Sequence, residues 1–163
     1  MKFSHLFDNW NLTGLKIKAS FLEMEWTPKD ADKDAAWELY VELLTRVTTQ
    51  ALNSGEGTET AALASIHSIF KTTREVLKTH GRDCIQFSKV AIVILNQIVR
   101  PFTSKWHPRI EESSLDNASI TVFRNDLADL QKKLIAYTHM LSEIAGVEDI
   151  TALEEITPVQ HDS

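Results

Sequence analysis

The most regular hydrophobic pattern lies in the last third of the chain. Ile120, Phe123, Leu127, Leu130, Leu134, Tyr137, Leu141 and Ile144 recur at alternating steps of three and four. That spacing places all eight on one stripe of a helix packed along a bundle or coiled-coil seam. Gly146 follows, where a left-handed C-terminal cap favours a residue without a Cβ. A second helix is predicted after "PKDADKDAAW", with Trp37, Tyr40, Leu44, Val47 and Ala51 on the seam and Val41 and Leu43 widening the face. Beyond the glycine-bearing connector "LNSGEGTET", Leu63, Ile66, Phe70 and Leu77 mark a third helix ending near His80 and Gly81. The fourth begins at "DCIQ", where Asp83 and Gln86 resemble a capping box, and ends at Val99 because Pro101 disfavours helical geometry at Arg100. Its "VAIVIL" segment, residues 90–95, is apolar nearly all round, which predicts a central helix wrapped by the other three. A buried strand is the competing reading of that segment, and the length available between Gly81 and Arg100 favours the helix.

The N-terminal part reads differently. From Leu15 to Phe21 apolar and polar residues alternate, and the apolar face then switches to Leu22, Met24 and Trp26, as a one-residue bulge in a strand would produce. An extended strand over 12–26 is therefore preferred to a helix, and it needs a pairing partner. Residues 147–163 look like a short acidic helix followed by a frayed end. The expected architecture is mainly α: a four-helix bundle-like core over 29–146, an N-terminal extended or β arm over 1–28, and a short acidic C-terminal tail over 147–163.

Composition narrows the function classes. The 163 residues suffice for one domain with a core that needs neither disulfide nor metal. A net charge of −6 disfavours non-specific attraction to phosphate backbones. The single cysteine, Cys84, excludes an intramolecular disulfide and reads as a small buried hydrophobe. "MKFSHLFDNWNL" lacks the continuous apolar core of a signal peptide, and "VAIVIL" is far too short to span a bilayer. A cytoplasmic location without membrane attachment is the expectation.

Two basic features are candidate sites. In "RPFTSKWHPR" two prolines bracket Phe102 and Trp106, with Arg100, Lys105, His107 and Arg109 around them. Read as a stiff loop, this segment presents an aromatic–arginine mixture typical of interaction hot spots, and the same mixture suits nucleobase stacking. The competing reading tucks Phe102 and Trp106 under the bundle, with the basic groups capping the carbonyls of the preceding helix. The second feature is the row Lys71, Arg74, Lys78 and Arg82 on one face of the third helix, either a solvated face or a dock for an acidic partner. Asp30, Asp32 and Asp34 have the alternate spacing of a calcium loop. Ala35 and Val41 stand where that loop needs glycine and glutamate, so helix N-terminal charge is the better reading. The six histidines show no metal-ligand spacing, and neither a glycine-rich phosphate loop nor a nucleophile elbow is present. No cofactor and no metal are expected.

"REVLKTH", Arg74 to His80, resembles the arginine–histidine motif of the HEPN-type helical nucleases, small bundles that cut RNA and often act as dimers. The resemblance implies a metal-independent ribonuclease in which His80 assists 2′-hydroxyl attack and Arg74 stabilises phosphate. "AAWELYVELLTR", "TREVLKTHG" and "LNQIVRPFTSKWHP" resemble a group of small bacterial helical proteins of defence-related gene clusters, which implies an accessory protein beside a larger effector. Without a catalytic constellation, the preferred reading is a non-enzymatic interaction protein, an adaptor or small subunit, that meets a protein partner through residues 100–109. Homodimerisation and RNA or nucleotide binding are the alternatives.

Overall fold

Residues 2–10, 12, 15–46 and 57–151 are described by the structure, a computed structural model. The chain is mainly α. It runs through α1 (Phe3–Asn9), α2 (Ala19–Leu22), α3 (Asp30–Leu44), α4 (Glu59–His80), a 3₁₀ turn (Gly81–Cys84), α5 (Ile85–Ile94), a π-helical turn (Leu95–Val99), α6 (Arg100–Glu112) and α7 (Asn117–Ala145). No strand occurs among the described residues, and none of their helices is long and apolar enough to cross a membrane.

The α7 stripe folds as its spacing predicts. All of its seam residues from Phe123 to Ile144 are buried, and Ile120 is partly so. Asp116 caps the N-terminus by accepting from the Ser119 amide at 2.7 Å, and Gly146 closes the other end in the left-handed region at φ 69°. Helix α4 likewise ends at Gly81, whose φ of 64° is open to glycine at no steric cost.

In α3 the buried face is Ala35, Ala36, Leu39, Tyr40, Leu43 and Leu44, with the carboxylate of Asp32 at its head. Trp37, predicted on the seam, is instead 44% exposed. Val47, Ala51 and most of the following connector lie outside the described residues. This helix, and not α5, is the hub: it packs against α7, α4, α5 and the 3₁₀ turn. The expected central helix is sheathed on one side only, since Ile85 and Ile92 of α5 stay exposed while Phe87, Val90, Ala91 and Ile94 are buried.

The start of α5 is capped from a distance. Its N-cap, Cys84, makes no side-chain capping bond, and Asp83 is exposed. The fully buried Asp32 does the work instead. One carboxylate oxygen accepts the Phe87 amide at 2.9 Å in the first turn of α5, and the other accepts the Lys29 amide at 3.0 Å at the start of α3. A single anion thus satisfies a donor on each of two helix N-termini, where the peptide dipoles favour negative charge.

The predicted end of the fourth helix at Val99 does not occur. Helix continues through Arg100 and Pro101 to Glu112. Proline lacks an amide hydrogen, and its ring crowds the carbonyl one turn back. The wide turn over 95–99, closed by the Arg100 amide on the Leu95 carbonyl, makes room for it. Burial of Leu95, Val99, Phe102 and Trp106 along one stripe then favours continuation over a break.

The strand expected over 12–26 is also replaced. Residues 15–18 carry no regular structure, 19–22 form α2, and a lone antiparallel bridge joins Lys2 to Glu25. The pairing partner of the extended piece is a side chain. The Gln97 amide accepts from the Lys16 amide at 2.6 Å and donates to the Lys16 carbonyl at 2.8 Å, as a neighbouring strand would. Phe3 stacks on Phe21 and Trp26 at 4.3 and 5.0 Å, which merges the arm's apolar residues with the helical core. Of the expected acidic tail, 147–150 have no regular structure and everything past Thr151 lies outside the described residues.

Removing the shared cap leaves two helix starts with unsatisfied donors. Asp32→Ala should lower unfolding free energy by about 2 kcal/mol, read from the urea midpoint, whereas Asp83→Ala should change it by less than about 0.5 kcal/mol.

Candidate functional site

The segment 100–109 is not a loop, and its aromatic residues are not presented. Phe102 is buried and Trp106 is 0% exposed. Trp106 meets Phe123 edge-on at 5.1 Å, and Phe102 packs on the same ring at 5.4 Å. The indole N–H donates to Asp126 Oδ2 at 3.0 Å, and Lys105 donates to that oxygen at 2.6 Å. The Lys105 ammonium first, aided by the indole, holds the Asp126 carboxyl below the ordinary carboxylate range. Lys105 and Arg109 sit 5.0 and 5.3 Å from the Trp106 ring, and Arg100 lies 4.9 Å over Phe70. His107 pairs with Glu111 at 3.3 Å and stacks on His67. These basic groups thus bind aromatic faces and acidic side chains of their own chain; they do not cap a helix end. A buried indole with its N–H satisfied is a core anchor.

The other predicted basic residues are not gathered into a site. Lys71, Arg74, Lys78 and Arg82 are exposed, and Lys71 lies 3.8 Å from Glu75. Arg74 and His80 share one continuous helix, and at about 100° per residue their directions differ by about 120°. His80 turns instead to Glu38 on α3, at 2.9 Å. Cys84 is buried with its sulfur 3.2 Å from the Gly81 carbonyl oxygen. Among the described residues no cluster of three metal-ligating side chains forms. A cleft between α6 and α7, over Ile98, Phe102 and Leu130, measures about 210 Å³, below the ~300 Å³ at which small-molecule sites begin.

Exposed apolar groups also lie on α3 and on residues 147–151, which Tyr40 joins. Trp37 and Val41, 44% and 39% exposed, lie one turn apart on α3. The Trp37 ring is 5.9 Å from that of Tyr40, which is itself fully buried. The Tyr40 hydroxyl accepts the Ile150 amide at 2.8 Å and donates to Asp149 Oδ1 at 3.1 Å. Tyr40 thereby ties residues 147–151, which carry the exposed Val147 and Ile150, to the helix bearing Trp37. Lys33, Asp34, Glu38 and Glu148 are exposed on the same helix and segment, so the surroundings are acidic on balance.

Asp149 also joins a polar network at the surface. Asp149 accepts from the Thr151 amide at 3.0 Å and the Thr151 hydroxyl at 2.5 Å, and its other oxygen pairs with His139 Nδ1. Trp10 stacks on the His139 ring at 5.1 Å and donates its indole N–H to Glu143 at 2.7 Å. Desolvation is the largest single influence on Asp149 and raises its pKa. The Thr151 and His139 hydrogen bonds together outweigh it and bring the carboxyl down to about 2. Desolvation also pushes the Tyr40 phenol up. A carboxylate orienting an imidazole is familiar from acid–base catalysis. Here the other contacts of Asp149 are the Thr151 and Tyr40 donors that fasten a chain segment, and Trp10 covers a face of the imidazole.

The sequence reading missed both features. Trp37 is too large to be read as exposed by spacing alone, and the small Ala35 and Ala36 that displace it carry little hydrophobic signal. The pairing of Asp149 with His139 spans a helix cap and has no local signature. No family model, curated protein or solved structure matches this chain.

Two outcomes follow from the geometry. Trp106→Ala should destabilise the protein by about 3–5 kcal/mol in chemical denaturation, as expected for emptying a core aromatic site. The depressed Asp149 carboxyl stabilises the fold above the ordinary carboxylate range, and this contribution fades as pH falls towards 2. The melting-temperature gap between wild type and Asp149→Asn should therefore be present at pH 6 and close by pH 2.

Proposed function

We propose that this protein is a non-enzymatic helical interaction protein, an adaptor or small accessory subunit in the cytoplasm. Its long helical stretches serve as a bundle-like scaffold, and its contact surface is the Trp37–Val41–Ile150 patch, not residues 100–109. The observation that carries this reading is the 44% exposure of Trp37 on a helix whose opposite face is fixed in the core.

Helix α3 is held by α7 and α4 and by the Asp32 cap, so Trp37 is offered from a backbone that loses little freedom on binding. Tryptophan on such a support, with aliphatic neighbours and a polar rim, has the composition of an interface hot spot. Asp34 and Glu148, exposed on the same helix and segment, favour a protein segment that brings an apolar side chain flanked by Lys or Arg. The net charge of −6 supports the same preference and opposes a nucleic-acid partner.

The test is recovery of the partner from the native host with tagged wild type and with Trp37→Ala. Trp37→Ala should leave the protein folded, at a smaller cost in stability than Trp106→Ala, and abolish recovery of the partner. Undiminished recovery with Trp37→Ala would overturn the assignment of this surface.

A further inference from the structure

We propose that the N-terminal arm and residues 147–151 close on the C-terminal half of α7 as one coupled clasp, with His139 as the group they share. The clasp stands on the geometry alone. Its bearing on binding rests on the reading of the Trp37–Ile150 patch as a docking surface, since residues 147–151 supply part of that patch.

His139 is engaged from two sides by two distant parts of the chain. Trp10, at the end of α1, covers a face of the imidazole with an interplanar angle of 12°, and Asp149 holds its Nδ1 edge. The ring can satisfy both only in one orientation. If Asp149 loses its charge or moves away, the ring gains torsional freedom and the flat stack on Trp10 weakens. If Trp10 leaves, the face it covered is hydrated and the ring is no longer held in line for Asp149. Each end thus orients the group that the other end binds.

Residues 147–151 are fastened mainly by polar contacts, while Trp10 adds polar contacts to an arm whose Phe3, Leu6, Phe7 and Leu12 are buried in the core. On one side, Asp149 gathers Thr151 and the Tyr40 hydroxyl, and Tyr40 takes the Ile150 amide. On the other, Trp10 adds its bond to Glu143, one turn beyond His139. The arm returns towards the core through the Leu12 amide on the Phe7 carbonyl and the Phe3 amide on the Met24 carbonyl. Linkage makes such a coupling reciprocal, and coupling between sites is commonly about 5- to 150-fold. A partner that grips Val147 and Ile150 therefore tightens the arm, and one that draws the arm away loosens the Ile150 side of the patch.

Amide hydrogen exchange on the full chain, without any partner, tests the clasp. Asp149→Asn should lower protection about tenfold at Ile150 and Thr151 and also at Leu12 and Phe3. Trp10→Ala should produce the converse, loosening Ile150 and Thr151 as well as the arm. The double variant should fall short of the product of the two single effects. The Phe87 amide, bonded to Asp32, reports global stability, and the losses at both ends should exceed any loss there. If either single variant fails to fold, Tyr40→Phe replaces it, because it removes only the hydroxyl that joins Ile150 to Asp149 and should loosen both ends. Variants that loosen their own end while the other end stays within twofold of wild type would overturn the clasp. Loss of the docking surface in the Trp37→Ala experiment would leave this result untouched, since no partner takes part in it.

Discussion

The arrangement of the helices depends on one buried carboxylate. Asp32 accepts amides from the N-cap of α3 and the first turn of α5, two segments far apart in sequence. Each helix start has donors that the helix itself cannot satisfy, and burying them without an acceptor is unfavourable. A shared anion answers both needs, provided that the two helix ends converge on it. That requirement fixes where α5 begins relative to α3. Because α3 also packs on α7 and α4, the position of α5 carries through to the whole assembly. The scaffold that offers Trp37 is rigid for this reason.

Periodicity read well where burial was continuous. The α7 stripe and its Gly146 cap were legible because bulky residues mark every turn and nothing interrupts them. Helix α4 and its Gly81 end were equally plain. The reading failed where local backbone rules competed with packing. Pro101 argues for a stop, yet Leu95, Val99, Phe102 and Trp106 continue the three–four rhythm across it, and the hydrophobic stripe prevailed. In α3 the spacing puts Trp37 on the seam, while small alanines occupy the close contact and leave Trp37 outside. The capping box at Asp83 looked complete in sequence, but a carboxylate from another helix had taken the role, and nothing local could reveal that.

The candidate site was less legible than the fold, for a physical reason. Its parts come from α1, α3, α7 and the segment after Gly146, brought together by single hydrogen bonds across large separations in sequence. Residues 100–109 attracted interest because aromatic and basic side chains were adjacent in the chain. Their juxtaposition serves the interior, with cations placed against the rings of buried aromatics. By contrast, Trp37 has neighbours that only folding supplies. Adjacency in sequence pointed inward, and adjacency in space made the surface.

The widened turn at Leu95–Val99 has a geometric consequence of its own. At about 100° per residue, an unbroken α-helix would bring Trp106 about 100° out of phase with Phe87. One residue spent in a looser coil cancels that lag, and both rings enter the same interior. Winding this turn into regular α geometry with every residue kept would rotate everything downstream by about 100° and swing the indole toward water. Deleting one of its residues would instead leave the two rings in step. The looser coil keeps two halves of a long rod aligned.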